Sequence, residues 1–206
     1  MFHRLDTDVS LEEINKGIQQ LKLSKSAGPD NYLNEYFIHG NTVLILYLQS
    51  LFNVIFKTGY FTETWSEWYI VPLHKKGSIN NPENYRGITL LSVLGKLFTR
   101  ILTSWAESLN VYIEAQAGFR SGMSISDNIF VLTWYNYTYD KSRKKLYCSF
   151  IDFSKAFDYV ERNSLWSKLI KLGIRGKMMT ILKSMYSSVK SRVRFNNKLN
   201  HEFFCF

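Results

Sequence analysis

Cysteine is scarce in this chain of 206 residues: Cys148 and Cys205 are the two present. Two thiols cannot build a disulfide scaffold or a four-thiolate zinc site, and a reducing, intracellular setting is expected. Three prolines and eleven glycines exclude collagen-like and low-complexity classes. Long apolar runs are also missing. The longest stretch, Val43 to Phe56, is interrupted by Gln49, Ser50 and Asn53, too short and too polar for a bilayer span, so no membrane association is expected. The N-terminus, MFHRLDTD, has no apolar stretch behind a basic start, and no signal peptide is expected there. Internal repeats are absent. What the chain does have is 46% hydrophobic and 16% aromatic residues, enough for one sizeable core or two small domains and too much for a disordered chain.

Acidic residues are few where basic ones gather. Residues 163–206 hold nine Lys or Arg against the single acid Glu202, whereas residues 1–162 hold seventeen against sixteen. Almost all of the net charge of +9 therefore lies in the last fifth of the chain. Positive charge interleaved with aromatics is the footprint of a polyanion binder, although charge alone does not separate that from a solvated basic face.

Periodicity places the elements. Ser10 and Glu13 form a capping box ahead of Leu11, Ile14, Ile18 and Leu21, predicting a helix to about Leu23. KSAGPD (Lys25 to Asp30) reads as a loop. A largely buried helix over Val43 to Lys57 should stop at Gly59, and a strand over Trp68 to Leu73 should lead into a basic loop, HKKGSINNPENYRG. Helices are expected over Ser92 to Asn110 and Ile129 to Tyr139, with Gln116 to Asn128 as loop. Leu146 to Phe153 is a strand by composition, with Cys148, Phe150 and Asp152 on one face. Asp158 and Glu161 should cap a helix ended by Gly173, a further helix should fill Gly176 to Ser188, and Ser191 to Phe195 should pair with Leu199 to Phe206 around Asn196 and Asn197.

Asp152 is the residue with the most chemistry to explain. A carboxylate at the tip of an apolar strand is costly to bury alone, so it calls for a metal ion, an Arg or local amides. On this pattern a turn carboxylate satisfied by amides stays an open alternative to a metal ligand. Asp158 is accounted for by capping. Other chemistries fail: there is no GxGxxG, the glycines from Gly87 to Lys96 are wrongly spaced for a P-loop, His3, His39, His74 and His201 are scattered, and no GxSxG occurs.

Four segments, in order, resemble one family. FIDFSKAFD (Phe150 to Asp158) is similar to the first palm motif of reverse transcriptases, and NPENYRGITLLSVLGKLFTRIL (Asn81 to Leu102) and QAGFRSGMSISDNIFVL (Gln116 to Leu132) resemble its two finger motifs. KSAGPDNYLNEYF (Lys25 to Phe37) resembles the N-terminal extension of the non-LTR, LINE-type branch. The resemblance implies an α+β fold of the right-hand polymerase type: helical fingers and N-terminal extension over 1–145, then the first part of an antiparallel palm over 146–206, truncated, with no thumb. It implies RNA-directed DNA synthesis on an RNA template and DNA primer from dNTPs, with two Mg²⁺ ions. Asp152 would ligate those ions. Arg86, Lys75, Lys76 and the Phe153, Ser154, Lys155 and Ala156 backbone would hold the triphosphate, and Phe157 would exclude a ribose 2′-hydroxyl, packing in the core being its alternative. Gln116 and Arg120 would lie along the template, and Lys190, Arg192 and Arg194 along the duplex. Gly87 stands where Pro is commoner in the family. The Asp-Asp hairpin expected downstream of Phe206 is not in this sequence, so the chain alone is expected to be inert. A nucleic-acid-binding remnant of a decayed element and a group II intron maturase are the alternatives. No stable protein partner is expected. Nuclear access is implied for the whole element protein, with KSRKK (Lys141 to Lys145) a weak localisation candidate.

Overall fold

The structure is a computed structural model that describes residues 3–109, 112–154, 156–157, 159–196 and 198–204. In chain order the regular elements are α1 (Leu11–Gln19), α2 (Asn34–Ile38), α3 (Thr42–Thr58), β1 (Glu67–His74), β2 (Tyr85–Leu90), α4 (Val93–Glu107), α5 (Ile125–Lys141), α6 (Arg162–Lys171), α7 (Gly176–Ser187), β3 (Lys190–Phe195), β4 (Lys198–Leu199) and β5 (Phe203–Phe204). The chain divides into two compact units, Met1–Ala106 with Gly173–Phe206, and Glu107–Leu172. No helix among the described residues is long and apolar enough to cross a membrane.

Local chemistry explains the start of α1 and both ends of α3. The capping box is present: Glu13 N–H donates to Ser10 Oγ at 3.2 Å, and Ser10 N–H donates to Glu13 Oε2 at 2.9 Å. α1 ends at Gln19, short of the expected Leu23, because Lys22 and Ser24 are tied instead to the α2 side chains Asn34 and Glu35. Asn41 accepts from Leu44 N–H to open α3, and Gly59 closes it in the left-handed conformation at φ 71° that an L side chain rarely adopts.

The apolar faces of α1, α3, α4 and α7 supply the core. Phe52, Phe98 and Ile181 are fully buried, with Phe56, Leu97, Met178 and Trp105 nearly so. Rings meet edge-on or tilted: Phe52–Phe98 at 5.4 Å, Phe56–Trp105 at 5.1 Å and Phe61–Trp65 at 5.5 Å between centroids. Trp105 meets its polar requirement by donating Nε1–H to Glu13 Oε1 at 2.5 Å, so the residue that caps α1 also anchors α4.

The sheet departs from expectation in two ways. First, β2 occupies the end of what reads as a basic loop. It pairs antiparallel with β1 from His74↔Tyr85 to Tyr69↔Leu90, closing a long hairpin. The Asn81–Pro82 turn signal and the strand-weakening Gly87 hide this strand in the sequence. Second, the sheet is mixed rather than antiparallel: β3 runs parallel to β1, from Glu67↔Lys190 to Ile70↔Val193, and carries β4 and β5 antiparallel to it. The expected return pairing is present, Arg194↔Leu199 and Lys190↔Phe204, with Asn196 at φ 48°, while Asn197 lies outside the described residues.

The second unit holds the largest correction. Leu146 to Phe153 forms no strand; the segment has no regular structure and is exposed apart from Leu146. Strand composition is a preference for a pleated, half-buried surface, and among the described residues no neighbouring strand pairs with this segment. α5 is longer than expected, because Ser124 and Asp127 form a capping box upstream of Ile129. α6 starts at Arg162 with Glu161 as its N-cap, while Asp158 lies outside the described residues.

Glu161 accepts from Ser164 N–H at 2.6 Å and Asn163 N–H at 2.9 Å. Those bonds, the Ser164 one foremost, favour the carboxylate and hold its pKa below the ordinary 4.5. Because the folded value is lowered, the stabilisation is complete above the ordinary value and lost as pH falls through the native one. The Asn163 and Ser164 amide resonances are therefore expected to hold their helix-start shifts at the ordinary carboxylate value of 4.5 and to lose them as pH is lowered below it. Unchanged shifts below it would contradict the cap.

Candidate functional site

Alternation along a strand decides what the first unit presents. Lys190, Arg192 and Arg194 occupy alternate positions of β3 and so share one face of the sheet. The register places Glu67 and Tyr69 of β1 on that face, opposite Lys190 and Arg192, and continues it through Leu73 to Arg86 on β2. Tyr69 and Leu73 are four residues apart, so Arg86 sits about 13 Å further along the sheet than Arg192. Arg86 is exposed, and the three β3 cations are half-buried.

Each β3 cation is held. Arg192 Nη2 donates to Glu202 Oε2 at 3.0 Å. That bond raises the pKa of Arg192 and lowers that of Glu202. Arg194 lies over the Tyr69 ring at 5.6 Å and Lys190 over the Phe204 ring at 5.9 Å. Tyr69, Glu202 and Phe204 were not among the sequence candidates. Glu202 had a signal, being the one acid in the basic end; the other two depend on strand pairing that no local pattern reveals. Lys75 and Lys76 follow β1 in an exposed turn, where Lys75 N–H donates to Asn84 O at 2.8 Å.

The second unit carries the remaining candidates. Asp152 is exposed, in the open segment before α6, rather than at the tip of a strand. Phe153, Ser154, Ala156 and Phe157 are exposed with it, and Lys155 lies outside the described residues. Phe157 is 78% exposed, which removes core packing as its explanation. Its ring stands perpendicular to that of Phe119 at 5.9 Å, and Phe119 sits at φ 60° in the QAGFRSG loop. Arg120 reaches back to the Ile113 and Glu114 carbonyls at 3.4 Å, while Gln116 Nε2 donates to Gly118 O at 3.1 Å. Both side chains thus brace the loop that carries Phe119.

A carboxylate is the hard oxygen donor that Mg²⁺ prefers, and Asp152 qualifies as one ligand. Among the described residues, however, no three His, Cys, Asp or Glu side chains cluster as a metal site. The described residues therefore do not assemble a site for two ions.

A basic, aromatic-braced sheet face in one unit and an exposed aspartate among aromatics in the other are the equipment of a polynucleotide-handling protein. Residues 73–206 match the family of reverse transcriptases (RNA-dependent DNA polymerases), and the chain belongs to that family. Its relatives come from non-LTR, LINE-type elements. It is 33% identical over 196 residues to the "Probable RNA-directed DNA polymerase from transposon BS" of Drosophila melanogaster, covering 92% of this chain and 21% of that protein. It is 29% identical over 193 residues to the RNA-directed DNA polymerase from mobile element jockey of Drosophila funebris, covering 90% and 21%. A Pol polyprotein from the retrotransposable element R2 of Popillia japonica is 31% identical over 116 residues, covering 56% and 16%. The chain spans about a fifth of the length of the curated relatives it matches.

Proposed function

We propose that this chain forms the fingers, over 1–145, and the first part of the palm, over 146–206, of a non-LTR retrotransposon polymerase that copies an RNA template from a DNA primer with dNTPs. The observation that carries this reading is the alignment of Lys190, Arg192, Arg194 and Arg86 on one sheet face in a member of this family. Guanidinium forks and ammonium groups spaced along a sheet meet backbone phosphates without reading bases, as copying of any sequence requires. Arg86, the most exposed of the four, is free to take the triphosphate of an incoming nucleotide, with Lys75 and Lys76 adding charge from the neighbouring turn. Gln116 and Arg120 hold the loop beside the template. Phe157, braced by Phe119, offers the flat apolar surface that disfavours a ribose 2′-hydroxyl.

Asp152 supplies one carboxylate to a divalent-ion site whose other ligands lie outside the described residues. A divalent ion bound there polarises phosphoryl oxygens and offsets developing charge. This chain alone is therefore inert in synthesis, although it binds nucleic acid. The test is primer extension on an RNA template by the longer protein that contains this chain. A DNA product dependent on dNTPs and a divalent ion is expected. Heteroduplex binding with no extension would overturn the reading and leave a nucleic-acid-binding protein that has lost synthesis.

A further inference from the structure

Glu202 is the one acid among residues 163–206, and the return of the chain after β3 delivers it to the middle of the basic row. β4 pairs Phe195↔Lys198 and Arg194↔Leu199, and β5 pairs Ser191↔Phe203 and Lys190↔Phe204. Between the second and third of these pairs β3 advances three residues, 194 to 191, and the returning chain four, 199 to 203. The returning chain thus carries one additional residue, a β-bulge opposite Val193. Asn200 holds it twice: its N–H donates to Val193 O at 3.1 Å, and its Oδ1 accepts from Val193 N–H at 2.6 Å.

The bulge decides which face receives the acid. Carried one residue beyond Phe203, the β5 register sets Glu202 opposite Arg192, on the face shared by Lys190 and Arg194. Without the additional residue His201 would stand there, and Glu202 would fall opposite Ser191, which is buried on the other face. The bonded pair stays open to water, with side chains 40% exposed at Arg192 and 44% at Glu202. An exposed pair of this kind adds little to stability. Its effect on charge is larger. Lys190 also attracts Glu202, and Glu67, opposite Lys190 on β1, attracts Arg192 more weakly than Glu202 does. Two carboxylates therefore offset much of the charge that β3 presents. Glu67 is fixed within a strand, whereas Glu202 lies in the exposed stretch between β4 and β5.

We propose that Glu202 is a built-in stand-in for a backbone phosphate: its carboxylate occupies Arg192 in the free protein, and a polynucleotide laid along β3 must displace it. It rests on the polymerase reading, in which this face meets the duplex. A carboxylate and a phosphate each offer a guanidinium fork two anionic oxygens, so the exchange costs Arg192 no bond. A duplex that advances after each added nucleotide needs contacts that open again, and a competing anion at hand eases their release.

The full 206-residue chain and a short RNA–DNA heteroduplex test this by fluorescence anisotropy across a salt series. Glu202→Gln, which keeps the size of the side chain, is expected to tighten binding about threefold or more. It should also steepen the dependence of log affinity on log salt by about 0.7–0.9, the contribution of one further phosphate contact. In the Arg192→Gln background the same exchange should change affinity by less than about 1.5-fold. Glu202→Ala carries the same expectations should Glu202→Gln impair folding. Lys190→Ala/Arg194→Ala is expected to weaken binding about tenfold or more. If it does, and Glu202→Gln leaves affinity unchanged or lowers it, the proposal falls while the duplex reading stands. An equal gain from Glu202→Gln without Arg192 also overturns it, since the effect is then net charge alone. If the Lys190→Ala/Arg194→Ala protein binds as the parent does, the duplex reading of the face falls, and the proposal with it.

Discussion

Exchange of Asp152 for Asn in the longer polymerase is expected to lower primer extension by on the order of 10³-fold while heteroduplex affinity stays within about twofold. The amide has the size of the carboxylate and keeps a carbonyl oxygen, but it loses the charge that holds a divalent ion. Such an ion contributes several kcal/mol to phosphoryl transfer, and each ~1.36 kcal/mol is a factor of ten in rate. Stability should not confuse the result, because Asp152 is exposed in a segment with no regular structure. Affinity should hold because the cations proposed to meet the duplex, Lys190, Arg192 and Arg194, belong to the other unit. Single-turnover extension and anisotropy on the same preparations separate the two quantities. Near-parental extension by the Asp152→Asn protein would remove Asp152 from the reaction.

Phe98→Ala is expected to destabilise the first unit by about 3–5 kcal/mol, the range for truncating a buried aromatic ring. Phe98 is fully buried and its ring lies 5.4 Å from Phe52 and 6.2 Å from both Phe61 and Trp65. Those neighbours are fixed by other elements: Phe52 by α3, and Trp65 by the short turn that enters β1. The void therefore cannot close without moving a helix or the sheet, which puts the cost near the upper end. For a unit of this size the melting temperature should fall by about 10 °C or more. Urea unfolding followed by tryptophan fluorescence reads the change, since Trp65 and Trp105 both belong to this core. A loss below about 1 kcal/mol would mean that the aromatic cluster is not the core described here.

Particular residues show where the sequence was legible. Ser10 with Glu13, and Gly59, mark helix ends through hydrogen bonds and backbone angles that span at most four residues, and the structure places helix ends at them. Three of the four motifs that carry the resemblance, Asn81 to Leu102, Gln116 to Leu132 and Phe150 to Asp158, lie within residues 73–206, the span that matches the family. The roles of Phe119 and Glu202 were not legible. Phe119 meets Phe157 across thirty-eight residues, and Glu202 reaches Arg192 through a strand reversal. Leu146 to Phe153 shows the opposite failure, a strand-like composition without a strand.

The chain by itself thus determined most of its helices, the Ser10–Glu13 cap and the Gly59 stop, the concentration of positive charge in its final fifth, and the family to which it belongs. All of these rest on spacing and chemistry within a few neighbouring residues or on their order. Tertiary structure alone decided the parallel seating of β3 on β1, the hidden strand β2, and the docking of Gly28 against Leu91. Strand partners and close backbone approaches join residues tens of positions apart, and local preference carries no information about which distant segment will be there to meet them.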